Sequence, residues 1–82
     1  MKIDNEDALT IYSTVSRLWG DRIQKKGFYL IKGVYDYFLI YTNKRDDDFT
    51  VMGGPYPRKV AKEFGENEEL SSESAEELLN DW

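Results

Sequence analysis

The sequence predicts a small α+β domain in which a three-stranded antiparallel sheet packs against a long N-terminal helix and two short helices follow. Two observations predict this class. Apolar residues recur at helical spacing in the N-terminal third, and three runs rich in aromatic and β-branched residues then follow with short connections. With 82 residues the chain has room for one hydrophobic core, so residues 1–82 form a single domain.

The first helix is predicted over residues 5–26. Asp4 or Asn5 caps its start, and Gly27 supplies the left-handed residue that ends it. Trp19 belongs to the apolar side of this helix, so we expect it to be buried and its truncation to Ala to cost about 3–5 kcal/mol. The apolar positions, which fall within an arc of roughly 140°, are Ala8, Ile11, Tyr12, Val15, Leu18, Trp19 and Ile23.

Three strands are predicted next, over residues 28–32, 35–42 and 49–52. Their aromatic and β-branched side chains favour extended structure. The connections between them are too short for parallel crossovers, which indicates an antiparallel meander. The segment Gly53-Gly54-Pro55-Tyr56-Pro57 is expected to end the sheet and to form the elbow that leads into a helix.

The second strand carries apolar or amphipathic residues on both faces. Phe38 and Ile40 point to one side, whereas Tyr35, Tyr37 and Tyr41 point to the other and define a tyrosine face. One interpretation is that helices cover both sides of a central strand. The other is that the tyrosine face is exposed and serves as an interface, including a route to a homodimer, because tyrosine is favoured at interfaces.

Two short helices are predicted after the sheet. Pro57 fits the first position of a helix that runs through about Phe64 and ends at Gly65. An acidic helix follows, beginning at one of the serines in the range 71–74. Its apolar stripe is Ala75, Leu78, Leu79 and Trp82.

The composition argues against catalysis. The chain has no histidine and no cysteine, which removes the commonest general base, the usual activator of a nucleophile and the thiolate metal ligands. We therefore expect no catalytic, cofactor or metal site. An enzyme ranks last among the functions that we consider, behind binding to a protein partner and binding to nucleic acid. The carboxylates Asp46-Asp47-Asp48 are the one dense candidate for a metal, but they lack the alternating ligands of a calcium loop and are interpreted as a solvated turn. Gly53-Gly54 is followed by prolines instead of the Gly-Lys-Ser/Thr of a phosphate loop.

A soluble cytoplasmic protein is expected. The longest strongly apolar run, Tyr37 to Tyr41, is far shorter than the ~20 residues that cross a bilayer. The N-terminus has no apolar stretch of the kind a signal peptide needs, and the absence of cysteine favours a reducing compartment. For a virus-encoded protein, this compartment is the host cytoplasm.

A basic cluster lies at the start of the first short helix and consists of Arg58, Lys59 and Lys62. The order α-β-β-β-α with such a helix, over Gly53 to Lys62, resembles a double-stranded-RNA-binding domain. The resemblance implies that the cluster bridges phosphates of RNA or DNA. The chain departs from that pattern because its first helix is not basic and its C-terminus would repel nucleic acid. The alternative is that the cluster balances neighbouring acids.

Charge is distributed unevenly along the chain. Residues 1–62 carry eleven basic and eight acidic side chains, whereas residues 63–82 carry eight acidic side chains and no basic one. Within the acidic segment 66–82, the candidate partner-binding residues are Glu66, Glu68, Glu69, Glu73, Glu76, Glu77 and Asp81. An unrelieved acidic surface indicates a basic partner, such as a groove that normally binds nucleic acid. The alternative is an ordinary solvated helix face.

These observations predict a non-enzymatic binding protein that inhibits or modulates a partner with a basic surface. In size, charge and lack of catalytic residues, the chain is similar to small phage or mobile-element inhibitors of host defence, including anti-restriction and anti-CRISPR proteins. The similarity implies action on a nucleic-acid-processing protein through imitation of the nucleic acid. Direct binding of RNA or DNA through the basic cluster is the second function class.

Overall fold

The computed structural model describes residues 3–45 and 48–82 and confirms the α+β class. In the described part of the chain, four strands form one antiparallel sheet with the order β3-β2-β1-β4, so the sheet has one strand more than the sequence predicts. The elements in chain order are α1 (Asn5–Leu18), β1 (Gly27–Lys32), β2 (Tyr37–Thr42), β3 (Thr50–Tyr56), α2 (Arg58–Phe64), β4 (Glu68–Leu70) and α3 (Ser72–Asp81).

Helices cover both faces of the sheet. On one face, α1 buries Ile11, Val15 and Leu18 against side chains of β1 and β2 such as Ile31 and Phe38. On the other face, α2 and α3 bury their apolar side chains against the opposite side of the same two strands; this second cluster is Leu30, Tyr37, Leu39, Tyr56, Val60, Leu70, Ala75 and Leu78. The apolar character of both faces of β2 is therefore explained by burial on both sides, as one of the two interpretations predicts.

The first helix is shorter than predicted and ends at Leu18. The Asp4 side chain caps its start, but the backbone amides of Asp21, Arg22 and Ile23 all donate to the carbonyl of Leu18 in a turn that stops the helix. The prediction of a helix to residue 26 is wrong because Gly20, with φ of +81°, adopts the left-handed conformation in this turn.

Trp19 therefore lies beyond the helix and is only partly buried. It packs at the margin of the cluster under α1, whereas Ile23 is completely buried in that cluster. The expected cost of truncating Trp19 is too large for this position, because a side chain that is only partly buried loses only part of the transfer free energy of a fully buried one.

The third strand is longer than predicted and runs through Gly53–Tyr56. Its pairing with β2 shifts register twice between Tyr37 and Ile40, so β3 carries bulged residues where the sequence predicts a break. Gly54 has φ of +121°, and a Cβ atom there would lie 2.7 Å from a ring carbon of Phe38. Glycine thus lets the strand continue where proline and glycine would normally end it.

The C-terminal elements agree with the prediction except for β4. Helix α2 follows Pro57 and ends at Gly65, and the side chain of Ser71 caps α3. The acidic segment does not become helical at residue 66, because Glu68–Leu70 pairs with β1 as an edge strand. No helix within the described ranges is long and apolar enough to cross a membrane.

Candidate binding surface on α3

The solvent side of α3 is a row of carboxylates, which we call the acidic face. Glu73, Glu76 and Glu77 fall opposite the buried Ala75 and Leu78 at 100° per residue, and all three are exposed. The exposed Asp81 adds a fourth carboxylate at the C-terminal end of the helix, so the acidic face is Glu73, Glu76, Glu77 and Asp81. In the described part of the chain, the ion pairs are elsewhere and none involves this helix.

The acidic face places like charges next to one another on its own helix. Glu73 occupies the first turn, where the positive end of the helix dipole favours an acid. Asp81 instead lies at the negative C-terminal end, Glu77 lies in the middle of the helix, and no basic residue occupies the last turn. Glu73, Glu77 and Asp81 are also spaced four residues apart, which places like charges next to one another on the helix.

The other three predicted acids contact groups within the protein. Glu68 accepts a hydrogen bond from Arg22 at 2.9 Å, and the carboxylate of Glu69 lies 3.6 Å from the ammonium of Lys25. These contacts join β4 to the turn after α1. The structure therefore separates Glu68 and Glu69 from the acidic face of α3.

Glu66 accepts a hydrogen bond of 2.8 Å from the hydroxyl of Tyr37. This bond raises the pKa of Tyr37, burial raises it further, and the positive charge of Arg58 acts in the opposite direction. Glu66 thus fixes the outer end of a tyrosine that otherwise belongs to the core.

The tyrosine face is not a continuous exposed surface. Tyr37 is buried beneath α2, Tyr41 is half-buried beside Phe28 with ring centroids 5.0 Å apart, and Tyr35 is 84% exposed in the turn before β2. An interface through all three tyrosines requires each of them to be exposed, and the central one, Tyr37, is buried. A homodimer through this face would need Tyr37 to be uncovered.

Apolar side chains border the acidic face. Leu79 is 42% exposed and Trp82 is 43% exposed, although the sequence places both in the buried stripe of α3. Leu79 lies against Gly53 of β3, whose neighbour Met52 is also exposed. The sequence does not predict this apolar border, because it depends on how α3 meets the edge strand β3.

The basic cluster adjoins the C-terminal end of α3. Arg58, Lys59 and Lys62 are all exposed, and the ammonium of Lys59 lies 5.0 Å from the centre of the Trp82 ring. Arg58 lines a cleft of about 440 Å³ together with Lys32, Val34, Tyr35, Tyr37 and Glu66. Arg58 of the cluster is therefore close to one acid, Glu66.

The described residues offer no donor set for a metal ion. Among them, no three carboxylates, histidines or cysteines are placed so that they could hold one metal ion together, and every buried side-chain nitrogen or oxygen has a hydrogen-bond partner. Asp46 and Asp47 of the acidic triplet lie outside the described residues. Asp48 accepts a hydrogen bond from the amide of Phe49, as a turn carboxylate does.

No protein-family model, curated protein or solved structure matches this chain. Function must therefore be inferred from the residues and from their geometry.

Proposed function

We propose that this protein is a non-enzymatic binding protein that attaches to a basic partner through the acidic face of α3 and thereby inhibits or modulates it. The observation that supports the proposal is the placement of Glu77 and Asp81. Their charges repel one another, the charge of Asp81 also opposes the helix dipole, and no cation in α3 relieves them. A basic partner would relieve this repulsion on binding.

A nucleic-acid-binding groove is the partner surface that fits best. Carboxylates on successive turns of a helix are separated by about 5–6 Å at their Cβ atoms, and the phosphates of a nucleic acid likewise form a closely spaced row of negative charges. A groove lined by lysine and arginine would accept either. Inhibition of a nucleic-acid-processing protein, in the manner of phage or mobile-element anti-defence proteins, is the specific form of the proposal.

The two kinds of side chain on this surface have different roles in the proposal. The carboxylates of the acidic face act at long range and speed association with a partner of opposite charge. Leu79 is exposed beside Glu76, and Trp82 is exposed at the C-terminal end of the helix. Both act at contact, because burial of large side chains slows dissociation. Charge therefore sets the rate of encounter, and the apolar border sets the lifetime of the complex.

The test compares two variants with the same net charge. One carries Glu73→Gln, Glu76→Gln and Glu77→Gln. The control carries Asp21→Asn, Asp36→Asn and Glu63→Gln, which are exposed acids outside α3. Each variant neutralises three acids, so the net charge of −5 becomes −2 in both. The wild-type protein first serves as bait to purify the partner from the cells that express it.

Association rates with the purified partner are then measured from low to physiological salt, where the Debye length falls to about 8 Å. We expect the rate of the wild type and of the control to fall steeply with salt. The α3 variant should associate more slowly at low salt and show a flatter dependence. Equal rates and equal salt slopes for all three proteins would contradict the proposal.

A further inference from the structure

The outer side of α1 carries a stripe of uncharged side chains, although it faces solvent. Leu9 is 71% exposed and Tyr12 is 64% exposed, and the exposed Ser13 and Ser16 lie next to them on the helix surface. At 100° per residue these four residues form one stripe, with Tyr12 at its edge beside Val15 and the other three facing away from the sheet. Helices that face water normally carry charged side chains there, so this stripe indicates a contact surface.

A groove runs beside this stripe. It has a volume of about 260 Å³ and is lined by Tyr12, Val15, Ser16, Trp19 and Phe49. The rings of Tyr12 and Phe49 lie 6.4 Å apart on one side. The groove is thus lined by three aromatic rings, one valine and one serine.

We propose that a second copy of this chain docks here, with the two α1 helices packed antiparallel about a two-fold axis between Tyr12 and Ser13. In that register, residues that face each other across the axis have numbers that sum to 25, as 12 and 13 do. Position 9 of one helix therefore faces position 16 of the other. Leu9 of each copy then enters the groove beside Ser16 of its partner. A two-fold interface requires a surface that is complementary to itself, and the exposed leucine and the groove on the same helix satisfy this condition.

The charges on α1 favour the antiparallel arrangement. Glu6 and Arg17 lie on the same flank of the stripe, at opposite ends of the helix. Within the described residues, neither takes part in an ion pair. Antiparallel packing brings Glu6 of each copy to within about 3 Å along the axis of the partner's Arg17, given the helical rise. It also sets the two helix dipoles in opposite directions, whereas parallel packing would place helix ends of the same partial charge next to each other.

The contact is modest in size. Helix α1 has 14 residues and a length of about 21 Å, so it presents less than the ~800 Å² per partner of a standard interface. We therefore expect a reversible dimer with a dissociation constant in the micromolar range. Because α1 and α3 cover opposite faces of the sheet, the dimer would keep both acidic faces accessible. The inference does not depend on the proposed function.

Sedimentation velocity of the intact protein over micromolar to millimolar concentrations tests the dimer. The wild type should show a monomer–dimer equilibrium, and Leu9→Glu should weaken it at least tenfold. Tyr35→Glu, at an equally exposed position outside α1, should leave it unchanged. Glu6→Arg and Arg17→Glu should each weaken the dimer, and the two changes together should restore it. Circular dichroism checks that each variant is folded. A wild type that stays monomeric at the highest concentration, or a Leu9→Glu variant that dimerises equally well, would overturn the proposal.

Cysteine cross-linking tests the register, because the native chain contains no cysteine. Ser13→Cys places a thiol next to the proposed two-fold axis, where two copies can approach disulfide distance. Ser72→Cys on α3 is the matched control, since Ser72 is also an exposed helical serine. We expect Ser13→Cys to form a covalent dimer much faster under mild oxidation. Equal rates for the two variants would show that the two helices do not meet at this point.

Discussion

Tyr37 is buried in the core, but its hydroxyl group forms a hydrogen bond with the charged side chain of Glu66. The ring lies in the cluster beneath α2, and the oxygen donates to Glu66 in the loop before β4. Because Glu66 raises the pKa of Tyr37, the neutral phenol is favoured in the folded protein. The same pair that fixes the loop therefore makes stability depend on pH.

We expect Tyr37→Phe to lower the free energy of unfolding at neutral pH by about 1 kcal/mol, through loss of this hydrogen bond. The folded pKa lies above the unfolded value of about 10, so the contribution is complete below pH 10 and is lost as pH rises through the folded pKa. The difference between wild type and variant should therefore shrink at strongly alkaline pH. Urea unfolding at neutral pH and above pH 10 measures it, with the exposed Tyr35→Phe as control. A difference that stays constant with pH would contradict the assignment.

Single residues also determine where the regular elements stop. Pro57 and Gly65 act on their own backbone, so the sequence predicts α2 almost to the residue. Gly20 is harder to interpret, because an isolated glycine within an apolar pattern is tolerated in many helices. Ile23 continues the helical pattern and is buried, yet it reaches the core from a turn. The apolar periodicity predicted burial at position 23 correctly and the local conformation wrongly.

At the scale of elements, α3 shows a conflict between stability and the proposed function. Replacing Glu77 by Lys would place a cation four residues after Glu73 and four before Asp81, nearer the negative end of the helix. We expect Glu77→Lys to stabilise the protein by about 0.5–1 kcal/mol. Glu73→Lys should have the opposite effect, because it removes an acid from the first turn. Thermal unfolding at low salt measures both changes.

If Glu77→Lys stabilises the protein and also weakens binding to the partner, the acidic face is kept at the expense of stability. A variant that is no more stable than the wild type would show that these charges do not repel one another appreciably. A basic partner would then have no repulsion within α3 to relieve.

The remaining elements depend on contacts that are distant in sequence. Strand β4 contains one buried residue, Leu70, and exists because its backbone pairs with β1 about forty residues earlier. The continuation of β3 past Gly53 depends on pairing with β2. Likewise, the sequence predicted the carboxylates of the acidic face, but the exposed Leu79 and Trp82 beside it follow from how α3 meets β3. Local patterns do not carry this information.

At the scale of the whole molecule, the two-sided packing places opposite charges side by side. Helices α2 and α3 share one face of the sheet, so the basic cluster and the acidic face belong to one surface. A phosphate backbone that approached Lys59 would also come close to the C-terminal end of α3, and one that approached Arg58 would come close to Glu66. The resemblance to double-stranded-RNA-binding domains in the order of elements is thus not accompanied by a purely basic surface.

We therefore expect no salt-sensitive binding of double-stranded RNA or DNA by this protein. The basic cluster contributes three of the eleven basic residues, and the change Arg58→Ala, Lys59→Ala and Lys62→Ala takes the net charge from −5 to −8. Because these residues balance nearby acids in our interpretation, the triple variant should fold and should keep its affinity for the protein partner. A gel-shift titration at low salt, where phosphate contacts are strongest, checks the first expectation. Sub-micromolar binding by the wild type that is lost in the triple variant would reverse the order of the two functions and make nucleic acid the ligand.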